Sequence, residues 1–250
     1  MRLHFAPANA KLSKLEKRIG VKVYSFDMLS GVTCPAARDC KSWAEERDGK
    51  RSIRDGKHTL FRCFSASQEA LFTNVYRARK ANMEAALGLA AKSPMKCATA
   101  LVNAIPANAG AIRIHVAGDF RILNYFDAWL EVCERRPDVR FYAYTKMLSF
   151  WVKRLHSLPP NLALTASRGG RFDHLIDEHG LREAVVVYSK AKARRLGLPI
   201  DSDDYHAYRL RGGSFALLVH GAQPAGSEAG KAVRALRGKG SYGRKKVEVR

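Results

Sequence analysis

Ala111-Ile112-Arg113-Ile114-His115-Val116 runs straight into Ala117-Gly118-Asp119-Phe120, a helical pattern follows at Leu123–Glu134, and Arg140–Tyr144 opens a second aromatic run. Two strand-like runs joined by a helix of that length form a βαβ unit. That unit makes the strands parallel and lays the helix over them. Reading outward, the same alternation continues in both directions. Further strands are predicted at Val21–Phe26, Leu162–Ala166, Ala184–Tyr188 and Phe215–His220. Helices are predicted at Gln68–Leu89, Pro94–Ile105, Ser149–His156, Lys190–Leu196 and Ser227–Arg237. The expected fold is α/β: a partial (β/α) barrel of about six parallel strands covered by helices. An eight-unit barrel lacks strands here, and a doubly wound sheet stays open as the other arrangement. The 250 residues show no linker, so one domain is expected over 1–250, ending in a basic tail at 238–250.

The composition bounds the function. Lys and Arg number 44 against 23 Asp and Glu, a net charge of +21, and 46% of residues are apolar. That is enough apolar material for a core, which excludes wholesale disorder. No apolar run approaches the ~20 residues of a membrane span, and Met1-Arg2-Leu3-His4 lacks the apolar core of a secretory signal. A soluble, intracellular protein is expected. The charge favours polyanions, nucleic acid among them, as partners. No zinc-finger spacing, basic zipper or aromatic ribonucleoprotein motif points to sequence-specific readout. Oligomeric state is not legible.

In α/β folds functional groups collect beyond the carboxyl ends of the strands. Here those ends carry Cys34 and Cys40, Gly118-Asp119, Thr145-Lys146, Ser167-Arg168-Gly169-Gly170-Arg171, Ser189-Lys190, and His220-Gly221-Ala222-Gln223. Gly118 lets a ligand approach the backbone and Asp119 accepts from an amine or hydroxyl. Lys146 offers a cation. Ser167 and Arg168 belong to a glycine-bearing loop suited to an anion. Strand alternation sets Ile112, Ile114 and Val116 on one face. Arg113 and His115 are then expected on the other, facing either a barrel interior or water. Asp201, Asp203 and Asp204 read as a polar connection rather than a cation site.

Five cysteines do not form a secreted disulfide framework. Cys97 and Cys133 fall in helical patterns and are expected in the core. Cys34, Cys40 and Cys63 lie in loops, where soft thiolates suit an iron–sulfur cluster or zinc. Three thiolates would leave one iron of a four-iron cluster open; His58 as a fourth ligand would close a tetrahedral zinc site.

Thr33-Cys34-Pro35, Arg62-Cys63-Phe64-Ser65, His115–Phe120, Phe141–Lys146, Leu164–Gly170 and Gln223–Ser227, in that order, resemble an uncharacterised family of tailed-phage proteins related to gene product 88. That likeness implies a phage-encoded protein in the host cytoplasm. The arrangement is also similar, remotely, to radical S-adenosylmethionine (SAM) enzymes, with cluster cysteines after the first strand and a glycine-rich motif after the second. The usual closely spaced cysteine triplet is absent, since Cys63 lies far beyond Cys40. The second resemblance implies a 4Fe-4S cluster on Cys34, Cys40 and Cys63, with Asp119 receiving the methionyl amine of SAM. It also implies that Lys146, Arg168 and His220 face a carboxylate or the substrate. The alternative is a non-enzymatic nucleic-acid-binding protein with structural zinc.

Overall fold

The computed structural model describes residues 3–237; the expected basic tail at 238–250 lies outside them. In chain order the elements are β1 (Phe5–Pro7), α1 (Leu12–Ile19), β2 (Lys22–Phe26), β3 (Ser42–Arg47), β4 (Lys50–Asp55), α2 (Phe64–Leu71) and α3 (Thr73–Lys92). Then come α4 (Pro94–Ala104), β5 (Ala109–Ile114), α5 (Leu123–Arg135), β6 (Arg140–Thr145), α6 (Leu148–Lys153), β7 (Leu162–Ser167) and α7 (His174–Glu178). The last are β8 (Glu183–Val187), α8 (Lys190–Arg195), α9 (Tyr205–Tyr208), β9 (Phe215–Leu218) and α10 (Glu228–Leu236).

Seven strands form one open sheet in the order β1-β2-β5-β6-β7-β8-β9, and β3 pairs with β4 in a separate hairpin. All six predicted strands are present and run parallel to one another. The seventh, β1, adds antiparallel along β2 and was not anticipated. Each parallel strand is laid beside the one before it, so the order never reverses and a doubly wound topology is excluded. β1 and β9 are the two ends of the sheet, with only a one-residue bridge from Ile200 to Ala216 beyond β9, so the sheet does not close.

The crossover helices α3, α4, α5 and α6 pack on one face. Phe26, Ile112, Ile114, Phe141, Ala143 and Leu164 share a core with Ala86, Leu101, Trp129 and Leu148 from α3, α4, α5 and α6. Each such buried side chain contributes about 1.5–3 kcal/mol relative to exposure. Cys97 and Cys133 lie in this core, as expected. The opposite face, with Val23, Ala111, Tyr142 and Phe215, is covered by Leu12 and Leu15 of α1 and Ala207 of α9.

On that second face a charge cluster is buried. The Asp204 carboxylate pairs with Arg113 and with Lys11, and accepts from the Tyr144 hydroxyl at 3.0 Å. Burial pushes this carboxyl up, but Arg113 and Lys11 outweigh that and hold it well below the usual range. The aspartate-rich connection is thus the counter-charge of Arg113, which explains why a strand can carry an arginine inward.

Two expectations are corrected, and one element is new. His115 does not share a face with Arg113: its backbone turns left-handed (φ 68°), the strand ends at Ile114, and its ring meets Phe120 and the Tyr125 hydroxyl on the helical side. There burial, with Arg113 adding to it, pushes its pKa down to about 3. The single helix Gln68–Leu89 is two helices, broken at Phe72. Arg51 explains the break. Its Nε donates to the Glu69 carbonyl at 3.0 Å, the acceptor an unbroken helix would offer to Thr73, and its guanidinium also reaches the Thr73 hydroxyl. The new element is the hairpin of β3 and β4 between Cys40 and Cys63. Its Asp48-Gly49 turn has φ values of 50° and 72°, the geometry that favours Asp-Gly in two-residue hairpins.

Candidate functional site

The chain after β2 is held to the neighbouring strand end by buried side chains. The Asp27 carboxylate accepts the Val116 and Ala117 N–H groups at 2.7 and 3.3 Å, and the Ser25 hydroxyl at 3.0 Å. The Ser30 N–H and hydroxyl donate to Glu69, which also pairs with buried Arg79 at 3.0 Å. Thr33 Oγ1 accepts the Asp119 N–H at 3.3 Å. Gly118 has φ 94°, and a Cβ there would stand 2.7 Å from Thr33 Oγ1, so this close approach requires glycine.

The far side of the cysteine loop docks on Gly169-Gly170-Arg171. Arg38 and Asp39 donate to the Gly169 carbonyl, and Arg171 N–H donates to Ala36. Lys41 closes the loop internally, its Nζ donating to the carbonyls of Gly31 and Cys34 at 2.6 and 2.8 Å.

Cys63 arrives from a different direction, as the residue preceding the first turn of α2. It is positioned by the last strand-end loop. Gln223 Oε1 accepts the Arg62 N–H at 2.7 Å, while its Nε2 donates to the carbonyls of Arg62 and His220, both at 2.9 Å. The rings of Phe64 and His220 stand 5.1 Å apart. His220 and Gln223, expected as ligand groups, therefore act in this structure as the wall that carries Cys63.

Cys34 and Cys63 sense their neighbours. Burial raises Cys34 well above the usual thiol range, and the nearby charges of Asp119, Cys63 and Cys40 add to it. Burial and then Cys40 raise Cys63 to about 11, against the opposing amides of Ser65 and Ala66 at the start of α2. Half-buried thiols shifted in this way, Cys34 and Cys63, stay protonated until a cation offsets the repulsion. Among the described residues, however, no group of three or more His, Cys, Asp or Glu is placed to hold a single metal ion. A tetrahedral zinc requires its sulfurs within about 4 Å of each other. His58 is exposed, on a recess lined by Arg38, Asp39, Lys57, Thr59 and Leu60.

Asp119 is buried beside them. Its Oδ1 accepts the Thr145 hydroxyl at 2.7 Å and the Phe120 N–H at 2.8 Å, and its Oδ2 accepts the Lys146 N–H at 2.8 Å. Burial outweighs these bonds and raises its pKa to about 6. At neutral pH it is ionised, with a lone-pair site still open on Oδ2.

The other predicted residues have partners within the protein. Lys146 directs its three N–H donors to the Ser167 carbonyl and hydroxyl and the Arg168 carbonyl, at 2.7, 3.0 and 2.8 Å. Arg168 pairs with Glu183 and with Asp177. The glycine loop does bind an anion, but it is the protein's own: the Gly169 and Gly170 N–H groups both donate to the Asp173 carboxylate at 2.9 Å.

Sequence reading missed Glu69 and Asp173 as supports of this mouth, and it placed Asp27 and Thr145 at strand ends without giving them that role. Only Asp173 had a visible signal, being an acid three residues beyond a Gly-Gly pair. No described helix is long and apolar enough to cross a membrane. No curated protein and no solved structure matches the chain. The sequence model of the Gene product 88 family matches residues 3–238. On that match, which spans nearly the whole chain, the protein belongs to the Gene product 88 family.

Proposed function

We propose that this chain is a phage-encoded iron–sulfur protein of the radical-SAM kind, a single domain whose six successive parallel strands form a partial (β/α) barrel. What supports the reading is that half-buried Cys34 and Cys63 both lie within reach of Cys40, and Cys34 also of Asp119, beyond the ends of β2 and β5. Three soft sulfurs are the donor type that an iron–sulfur cluster takes. Among the described residues no group of three or more His, Cys, Asp or Glu is placed around a single ion. A cuboidal cluster spreads its thiolates further apart than a tetrahedral zinc does and keeps one iron free for an outside ligand.

In this reading Cys34, Cys40 and Cys63 hold three irons. Asp119 takes the amine of SAM on its open lone pair, and Gly118 admits the ligand to the backbone. Lys41, Arg121 and Arg171, which act together on the electrostatics of the loop, offset the negative charge of a thiolate-bound cluster. Lys146, Ser167, Arg168, His220 and Gln223 keep the mouth in shape. When bound, the cluster and SAM supply an electron and a radical-forming bond cleavage, while the protein orients substrate and excludes water.

The test is SAM turnover by anaerobically reconstituted protein given dithionite. Reductant-dependent release of methionine and 5′-deoxyadenosine, lost in Cys34→Ser, is expected. A reconstituted protein that leaves SAM intact overturns the SAM assignment.

A further inference from the structure

Large apolar side chains are exposed unevenly over this protein. Of nine among the described residues, five (Val32, Leu60, Phe64, Leu71 and Phe72) come from the cysteine loop, its approach to Cys63 and the helix that Cys63 begins. Leu71 is 72% exposed and Phe72 53%, both at the helix break that Arg51 holds open. Phe64, 39% exposed, stands at the opposite end of α2, beside Cys63. An eight-residue helix is about 12 Å long. Three exposed cations accompany these side chains: Lys57, Arg121 and Arg171 make no ion pair among the described residues. Arg121 donates to the Val32 carbonyl. Arg121 and Arg171 both lower the pKa of Lys41, after burial, so the loop lies within reach of both charges.

We propose that this rim is a platform for single-stranded nucleic acid, with Phe64 and Phe72 stacking on bases and Lys57, Arg121 and Arg171 meeting phosphates. Aromatic faces interleaved with cations are what an unpaired strand requires, and each stacked base contributes substantially and without sequence preference. A duplex hides its base faces. An acidic protein would use the cations and leave both rings exposed. The chain's +21 charge supplies the long-range attraction. This names the substrate class of the cysteine mouth and rests on that reading for its chemistry alone; binding does not need the cluster.

The experiment is fluorescence anisotropy with the full chain, with and without reconstituted cluster. The probe is a fluorescein-labelled oligothymidylate of about 20 nucleotides, longer than a typical single-strand site. The single strand should bind more tightly than the same strand in a duplex. Phe72→Ala should weaken it at least about fivefold, and Phe72→Trp should restore it. The Lys57→Ala, Arg171→Ala double variant should reduce the salt slope by about 1.4. Equal affinity for duplex, no effect of Phe72→Ala at unchanged circular dichroism, or equal competition by polyglutamate overturns the proposal; the last result assigns the rim to an acidic protein. Strand binding by a protein that takes up no iron supports this inference and removes the cluster reading. A cluster-bearing protein that binds no strand does the reverse.

Discussion

Gln223 grips Arg62 by both backbone groups across 161 residues of chain, accepting its N–H at 2.7 Å and donating to its carbonyl at 2.9 Å. This one amide joins the loop after the last strand to the residue preceding Cys63. It therefore couples the end of the sheet to the third thiol.

Removing that amide should loosen Cys63. Gln223→Ala leaves an N–H and two carbonyls without their partner, a cost of about 1–3 kcal/mol. Urea denaturation should show that loss, and Cys63 should react faster with a thiol reagent than in the native protein. Gln223→Glu keeps the acceptor and loses the donor, and should fall between the two. Unchanged stability and reactivity in Gln223→Ala would show that the clamp is idle.

Asp119 sets a pH dependence. Its folded pKa, about 6, lies above the ordinary 3.8 because of burial. Between those values the folded state binds more protons than the unfolded state, so this group's contribution to stability falls as pH rises from about 4 to 6. The full penalty of ionisation, roughly 3 kcal/mol, is in place above pH 6. Native protein should lose about that much stability relative to Asp119→Asn across the window, measured by denaturation at several pH values. A constant difference would contradict the burial argument.

Gly118 and Gly20 separate backbone strain from crowding. Both have positive φ, 94° and 74°, but a Cβ at Gly20 meets nothing within 4 Å, whereas at Gly118 it strikes Thr33. Gly20→Ala should cost about 1–2 kcal/mol from conformation alone. Gly118→Ala should cost clearly more and displace the cysteine loop. Melting temperatures give the comparison, and equal shifts would refute the close approach.

Asp204 neutralises the inward face. Asp204→Asn strands Arg113 and Lys11 in the interior and should cost about 3–5 kcal/mol. Arg113→Met leaves the carboxylate paired with Lys11 and should cost less. Urea midpoints of the two variants test the order.

What the sequence disclosed follows from local physics. The six parallel strands were legible because each is a β-branched or aromatic run bounded by polar, glycine-bearing loops. The inward placement of Arg113 followed from alternation, and alternation failed one turn later because His115 adopts a positive φ that no residue type announces. The hairpin before Cys63 carried its signal in Asp48-Gly49. The break at Phe72 carried none, since Arg51, twenty-one residues away, takes the carbonyl that would have continued the helix. The glycine loop was read as a site for a ligand's anion, whereas its Gly169 and Gly170 N–H groups donate to Asp173, a tertiary fact. Gln223 helps hold Cys63 at the mouth through Arg62, and no spacing rule spans that separation.

The central claim is that Cys34, Cys40 and Cys63 act on one metal cluster, and iron and sulfide analysis after anaerobic reconstitution tests it most directly. About four irons and four sulfides per chain are expected, with brown colour, falling sharply in Ser variants of Cys34, Cys40 or Cys63 and unchanged in Cys97→Ser. A colourless protein, or iron uptake indifferent to those three cysteines, would contradict it.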